Sequence, residues 1–248
     1  PTAPPSACRP GVNAAYDDPR SRIVIDDAKS YFARGGGGYD IIVSEPSNPW
    51  VSGVSSLFTE EFYARLHAYM NDGAVLSQWL HTYEMDTATL ASILAAVPKT
   101  FPDFVVYSSI DTDIVLIARK GGAPGALQAG ALAFEGLAPV LARLRLDDPD
   151  VVRRRTVGHW QTLAPYFGAF GVRANSDFYP VVDQRASRTR FTKDSVRDLV
   201  QLQTAAVPLL EMIDHGIAPP STRRDVARVT EPEGAAHAAC VAHDLVTR

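Results

Sequence analysis

Cysteine is nearly absent. Cys8 and Cys240, close to opposite ends of 248 residues, are the whole supply. Two such residues make no disulfide framework, and no cysteine or histidine spacing in the chain fits a zinc site. That usage fits a reducing compartment. Long apolar runs are also missing: none approaches the ~18 residues that a membrane-crossing helix needs. The opening Pro1-Thr2-Ala3-Pro4-Pro5 has no charged segment followed by an apolar one, so it does not read as a signal peptide. It lacks an initiator methionine as well, and the chain reads as a fragment. The expected location is the cytoplasm, or the cytoplasmic face of a membrane if an upstream membrane domain exists. There is no excess of positive charge. Lys and Arg number 24 against 28 Asp and Glu, a net charge of −4 that supplies no general attraction for nucleic acid. Basic residues do outnumber acidic ones between Arg143 and Arg197, and we read that stretch as a solvated helical face.

What the chain has is a core. Its hydrophobic fraction of 46% supports a real core rather than disorder and suits one large or two small domains. Residues 1–20 are rich in Pro, Ala and Asp and read as an irregular amino-terminal segment. Ile23-Val24-Ile25 reads as a short buried strand ending at Asp26-Asp27, and Ala28 to Arg34 as a short helix. Gly35 to Gly38 resembles a phosphate loop, but it precedes a strand where a nucleotide cradle requires glycines after one. Tyr39 to Ser44 is the second strand. Thr59 caps a helix with Glu60 and Glu61 in its first turn, favourable for the helix dipole. Asn71-Asp72-Gly73 is expected to stop it. Ala74 to Leu80 is a third strand and Thr87 to Val97 a helix ended by Pro98. Phe104 to Tyr107 and Ile114 to Ala118 are two strands joined closely enough to be antiparallel neighbours. Alternation of this kind predicts an α/β fold, a mostly parallel sheet with helices on its faces. After the linker-like Gly121 to Gly125, apolar residues recur at helical spacing. Residues 121–248 are therefore expected to be a helical extension, including a helix capped by Asp194 that carries Val196, Leu199, Val200 and Val207.

The run Tyr39-Asp40-Ile41-Ile42-Val43-Ser44-Glu45-Pro46-Ser47-Asn48-Pro49-Trp50 concentrates the candidate chemistry. An apolar strand runs into a carboxylate and a loop stiffened by two prolines. Ligands of open α/β sheets bind at the carboxyl ends of strands. Glu45 there can act as a general base or hold an amine; a salt bridge or loop hydrogen bond is the bland alternative. Asn48 is a second polar contact or an Asx turn before Pro49. Asp27, followed by the small Ala28, can accept a hydrogen bond from an adenine amine or simply cap the next helix. Gln78 ends the third strand as a ligand contact or a half-exposed strand residue. Tyr83 and Trp50 can wall a slot for a methylene chain or pack the loops. The six histidines show no metal or triad spacing, and Asn175-Ser176-Asp177 reads as a plain turn.

Taken together, Val24-Ile25-Asp26-Asp27-Ala28, the Tyr39–Gly53 run, Leu57-Phe58-Thr59-Glu60-Glu61-Phe62-Tyr63 and Gln78-Trp79-Leu80 resemble the spermidine synthase family, over roughly residues 12 to 120, with a weaker echo at Asn175 to Pro180. The form most alike is the bacterial one often fused to a membrane domain. The resemblance implies a methyltransferase-like (Rossmann-type) sheet over residues 21–120. It implies transfer of an aminopropyl group from decarboxylated S-adenosylmethionine to a polyamine acceptor such as putrescine. The partners implied are a small-molecule amine and an adenosyl nucleotide, and a homodimer. No tightly bound cofactor is implied; decarboxylated S-adenosylmethionine, or S-adenosylmethionine itself, is a co-substrate. By the resemblance Glu45 takes the catalytic acid's place. Asp27 and Ala28 contact the adenine, and Asn48, Gln78 and Tyr83 belong to the amine side. Two departures stand out. Glu45 is longer than the family's aspartate by one methylene, and Asn48 replaces a second aspartate. The glycine-rich loop and the ribose-binding acid of the family would lie before Ile23. Without the first two strands, Ile23–Ile25 lacks a neighbour, and the expectation is a fragment that binds nucleotide poorly. An N-methyltransferase, suggested by Asn48-Pro49-Trp50, and a non-catalytic binding or scaffold domain are the alternatives.

Overall fold

The computed structural model describes residues 17–110, 112–192 and 195–196, without the side chains of residues 110 and 129. The chain divides into two compact units, Pro1–Gly36 and Gly37–Arg248. In the first, helix α1 (Ala28–Ala33) starts where the sequence predicts. Asp27 has extended backbone angles and its carboxylate accepts from the Ser30 amide at 2.8 Å. Arg34 pairs with Asp26. Ile23-Val24-Ile25 is not a strand. The three side chains are 50%, 45% and 76% exposed. A strand needs a neighbour for its backbone groups, and among the described residues these three have none.

The second unit is built on a five-stranded sheet. Strand β1 (Tyr39–Ser44) is followed by a 3-10 turn (Val54–Phe58), helix α2 (Glu60–Tyr69) and strand β2 (Met70–His81). Helix α3 (Thr87–Ala96) leads to β3 (Phe104–Ile110) and β4 (Asp113–Arg119). Three short helices follow, α4 (Ala129–Leu132), α5 (Ala138–Leu144) and α6 (Pro149–Arg153). Strand β5 (Thr156–His159) and helices α7 (Trp160–Gly168) and α8 (Val181–Thr192) end the described chain. The sheet order is β1-β2-β4-β3-β5. β1 and β2 pair in parallel, while β2–β4, β3–β4 and β3–β5 are antiparallel. Strands β1, β2 and β3 therefore run one way, and β4 and β5 the other. The α/β class expected from the alternation holds, as does the β3–β4 hairpin.

Local chemistry explains the framework. Thr59 caps α2 by accepting from Phe62 N at 3.2 Å, with Glu60 and Glu61 in the first turn. Phe62, Tyr63, Leu66 and Tyr69 bury one face. Helix α2 ends at Tyr69, just before Asn71-Asp72-Gly73, as the sequence suggested. The chain passes directly from Tyr69 into β2, and the three residues form an irregularity within that strand. Gly73 carries the left-handed φ of 79° needed there. Gly37 lets the entry to β1 run against the Tyr69 backbone, where a Cβ would sit 3.4 Å from its Cα and oxygen.

Asp86 caps α3, its carboxylate accepting from Thr89 N at 2.7 Å. Leu90, Ile93, Leu94 and Ala96 of that helix are wholly buried, and α7 and α8 pack against it. The chain beyond residue 120 thus does more than add helices. β5 extends the sheet, which the irregular apolar pattern of 151–170 did not announce. Asn175 is a buried pin. Its amide nitrogen donates to Ser55 O and Phe58 O, and its oxygen accepts from Val182 N. Ser176 and Asp177 form the expected turn and grip Glu61 at 2.7 and 2.8 Å. Val196 does not lie within a helix: its amide donates to Thr82 O at 2.9 Å, beside a Ser195–Tyr83 bridge. Asp194 and the remainder of that proposed helix lie outside the described residues.

Candidate amine site at the end of the parallel strands

The parallel pairing of β1 with β2 fixes the site. Its register sets Ser44 opposite Gln78, so Glu45 is the first residue past the end of β1. The loop then turns twice: Val51 N donates to Asn48 O at 2.9 Å and Val54 N to Val51 O at 3.0 Å. Gly53, at φ 84°, closes it. Glu45 is exposed, and it makes no hydrogen bond or ion pair among the described residues. Among the described residues neither a salt bridge nor a loop hydrogen bond engages its carboxylate.

Asn48 does not form an Asx turn; its backbone closes the turn instead. Its side-chain oxygen lies 3.5 Å from the Tyr83 hydroxyl, the outer limit for a hydrogen bond. Trp50 is half-buried and meets Tyr83 edge-on, the ring centroids 6.2 Å apart. Gln78 differs from both sequence readings of its surroundings, for it is fully buried. Its amide nitrogen ties the end of β1 to β2, donating to Ser44 O at 3.3 Å and Trp79 O at 3.1 Å, while its oxygen has no partner among the described residues. The structure thus gathers Asn48, Trp50 and Tyr83, sets Glu45 at the start of the same loop and puts Gln78 behind it. Asp27 and Ala28 belong to the first unit. There the Ser30 amide, donating to Asp27, holds that carboxyl below its ordinary value.

Sequence reasoning missed His81. It is buried between Trp50, at 4.9 Å, and Tyr83, at 4.6 Å, with Trp79 at 5.7 Å. Its Nε2 has no partner among the described residues. Burial disfavours the charged ring and pushes its pKa down to about 4, so the imidazole is neutral at neutral pH. The alternation that puts Trp79 and His81 on one face of β2 was the available signal. Arg190 was missed too. Its guanidinium lies 5.7 Å from the Trp50 ring, a cation–π contact delivered by α8 from far along the chain.

Among the described residues no helix is long and apolar enough to cross a membrane, and no group of three or more His, Cys, Asp or Glu is placed to hold a metal. What the strand end offers is one free carboxylate, neutral polar groups and a cluster of rings. That set can hold an alkyl amine and take a proton from it.

Residues 8–112 match the spermine/spermidine synthase domain family. The polyamine aminopropyltransferase of Pyrobaculum calidifontis is 32% identical over 98 residues, 38% of this chain and 34% of that protein. Polyamine aminopropyltransferase 1 of Pseudomonas aeruginosa is 30% identical over 95 residues, 38% of this chain and 33% of that one. The Thermotoga maritima polyamine aminopropyltransferase is 25% identical over 142 residues, covering 57% and 44%. The chain thus spans less than half the length of each of these relatives. Among solved structures, a probable spermidine synthase from Corynebacterium glutamicum has a TM-score of 0.40 at 17% identity, over 64% of this chain and 55% of that one. The Thermotoga maritima spermidine synthase has a TM-score of 0.39 at 18% identity, over 75% and 55%.

Proposed function

We propose, from the match of residues 8–112 to the spermine/spermidine synthase domain family, that this chain is part of an aminopropyltransferase and that the Glu45–Trp50 loop is its amine site. The donor is decarboxylated S-adenosylmethionine. The acceptor amine, neutral at the reacting nitrogen, attacks the methylene carbon bonded to the sulfonium. The new C–N bond forms as the C–S bond breaks, its electron pair passing to sulfur, and 5′-methylthioadenosine leaves. The proton lost from nitrogen goes to Glu45.

One observation carries this reading. Glu45 is a carboxylate without a partner among the described residues, one residue past the end of a strand in parallel pairing, on the loop that bears the aromatic cluster. Tyr83, Trp50 and neutral His81 supply the apolar wall for a methylene chain. Asn48 and Tyr83 supply neutral polar contacts. In the first unit, Asp27 and Ala28 keep the adenine-contacting role that the resemblance implies, with the cap hydrogen bond from Ser30 competing for the Asp27 carboxylate.

The test is product analysis by mass spectrometry of the full-length protein with decarboxylated S-adenosylmethionine and an amine. An aminopropylated amine and 5′-methylthioadenosine are expected, reduced by about 10²–10⁴ in Glu45→Gln, the usual worth of a general base. A methylated product from S-adenosylmethionine would replace this reading with amine methyl transfer. We also propose that the 248-residue polypeptide by itself binds nucleotide weakly. The exposure of Ile23–Ile25 supports that reading, since a nucleotide wall built on those residues needs them held in a sheet. Calorimetric binding of 5′-methylthioadenosine at micromolar affinity would overturn it.

A further inference from the structure

The charges around the aromatic cluster do not suit a molecule cationic at both ends. Between Glu45 and Gly53 the loop has a single carboxylate, Glu45 itself. Asn48 is neutral, and so is the buried His81. Of the two acids that follow Tyr83, Asp86 is already paired with Arg185 at 2.5 Å, and Glu84, half-buried, has no ion pair among the described residues. At the Trp50 end stands Arg190, exposed, with no ion pair among the described residues.

Arg190 is not a loosely placed surface residue. Its helix, α8, is fixed on both sides of it. Val182, Ala186 and Thr189 are buried against the rest of the unit. Arg185 holds Asp86, and the Thr189 hydroxyl donates to Glu84 O at 3.0 Å. Beyond the helix, Val196 N donates to Thr82 O at 2.9 Å. These contacts aim the exposed turn of α8 at Trp50, whose ring abuts His81 and Tyr83. Glu84 apart, the cluster therefore has an anionic start at Glu45, a neutral aromatic middle and a cationic end at Arg190. A diamine would bring a second ammonium towards that cation, whereas a carboxylate there would gain from it.

We propose that the acceptor at this site is an amine whose far end is a carboxylate, an ω-amino acid rather than a diamine, and that Arg190 is the residue that sets this preference. The proposal rests on the amine-site reading of the Glu45–Trp50 loop. It assigns a role to a helix outside the family-matched residues.

The experiment is calorimetric titration of the 248-residue protein, at low salt, with two probes that share a four-methylene spacer, 5-aminopentanoate and putrescine. The wild type is expected to favour 5-aminopentanoate by about three- to fivefold, the scale of one exposed charge contact. Arg190→Lys should keep that order, Arg190→Glu should reverse it, and Glu45→Gln should weaken both probes. If putrescine binds more tightly and Arg190→Glu leaves the ratio unchanged, the inference falls while the amine site stands. If putrescine binding is favoured and vanishes in Glu84→Gln, a second carboxylate holds the far ammonium and the inference likewise falls. If neither probe binds, the inference and the amine-site reading fall together.

Discussion

The two faces of the sheet have similar residues and different surroundings. On one, Ile42, Leu76, Leu80, Phe104, Val106, Ile114, Leu116 and Ala118 are buried beneath helices. On the other, Ile41 and Val43 are 67% and 69% exposed, Val75, Val115 and Ile117 are half-buried, and Val105 is buried. Continuous apolar runs such as Ile41-Ile42-Val43 mark strands covered on both sides, as sheets with parallel pairing usually are. The sequence thus encodes more burial than the described residues provide. The comparison also teaches where stability and the proposed chemistry divide: the covered face anchors the strands, and the strand end beside the open face carries Glu45 and the aromatic cluster.

The largest test of that contrast is substitution on each face. Leu76→Ala should cost about 3–4 kcal/mol in chemical denaturation, because it removes a wholly buried side chain from the central strand. Val43→Ser should change stability by less than ~0.5 kcal/mol. Equal losses would mean that the second face is covered after all.

A somewhat smaller effect is expected from pH. His81 is depressed from 6.5 to about 4 on folding, so the unfolded chain takes up its proton first as pH falls. The contribution is complete above pH 6.5 and is lost as pH falls towards 4, at a cost of about 2–3 kcal/mol. Replacing His81 with Phe should flatten the denaturation profile between pH 6.5 and 5, above the carboxylate range. An unchanged slope would show that the ring titrates normally and is not enclosed by Trp50 and Tyr83.

Smaller again is the α3 cap. Asp86→Ala removes the hydrogen bonds to Thr89 and the partly exposed pair with Arg185, and should cost about 1–2 kcal/mol by thermal or chemical melting. Arg185→Ala should cost less, because the cap remains. The reverse order would mean that the clamp from α8 holds α3 in place more firmly than the cap does.

Much of the framework was legible because its signals are local. Thr59 before two glutamates, Pro98 after an apolar helix, and the close pair of strands around residue 112 each declare themselves within a few residues. The Tyr39–Trp50 run located the candidate loop in the same way. What escaped depends on distant partners. Ile23–Ile25 has strand composition, but composition cannot supply the neighbour that makes a strand. Thr156–His159 is short and ordinary, and becomes a strand because β3 offers it an edge. Val196 is held by Thr82, not by helical spacing. Arg190 reaches Trp50 across a separation of many residues, so no spacing rule links them. The burial of Gln78 and the isolation of Nε2 in His81 likewise depend on residues distant in the chain.

The central claim is that Glu45 is a free carboxylate held ready for an amine, and its direct test is the binding of 5-aminopentanoate and putrescine to Glu45→Gln, measured together with its melting temperature. The account predicts binding weakened at least about tenfold, as for a lost hydrogen bond to a charged group, at an unchanged melting temperature, because Glu45 has no partner to lose among the described residues. Undiminished binding, or a lower melting temperature, would contradict it.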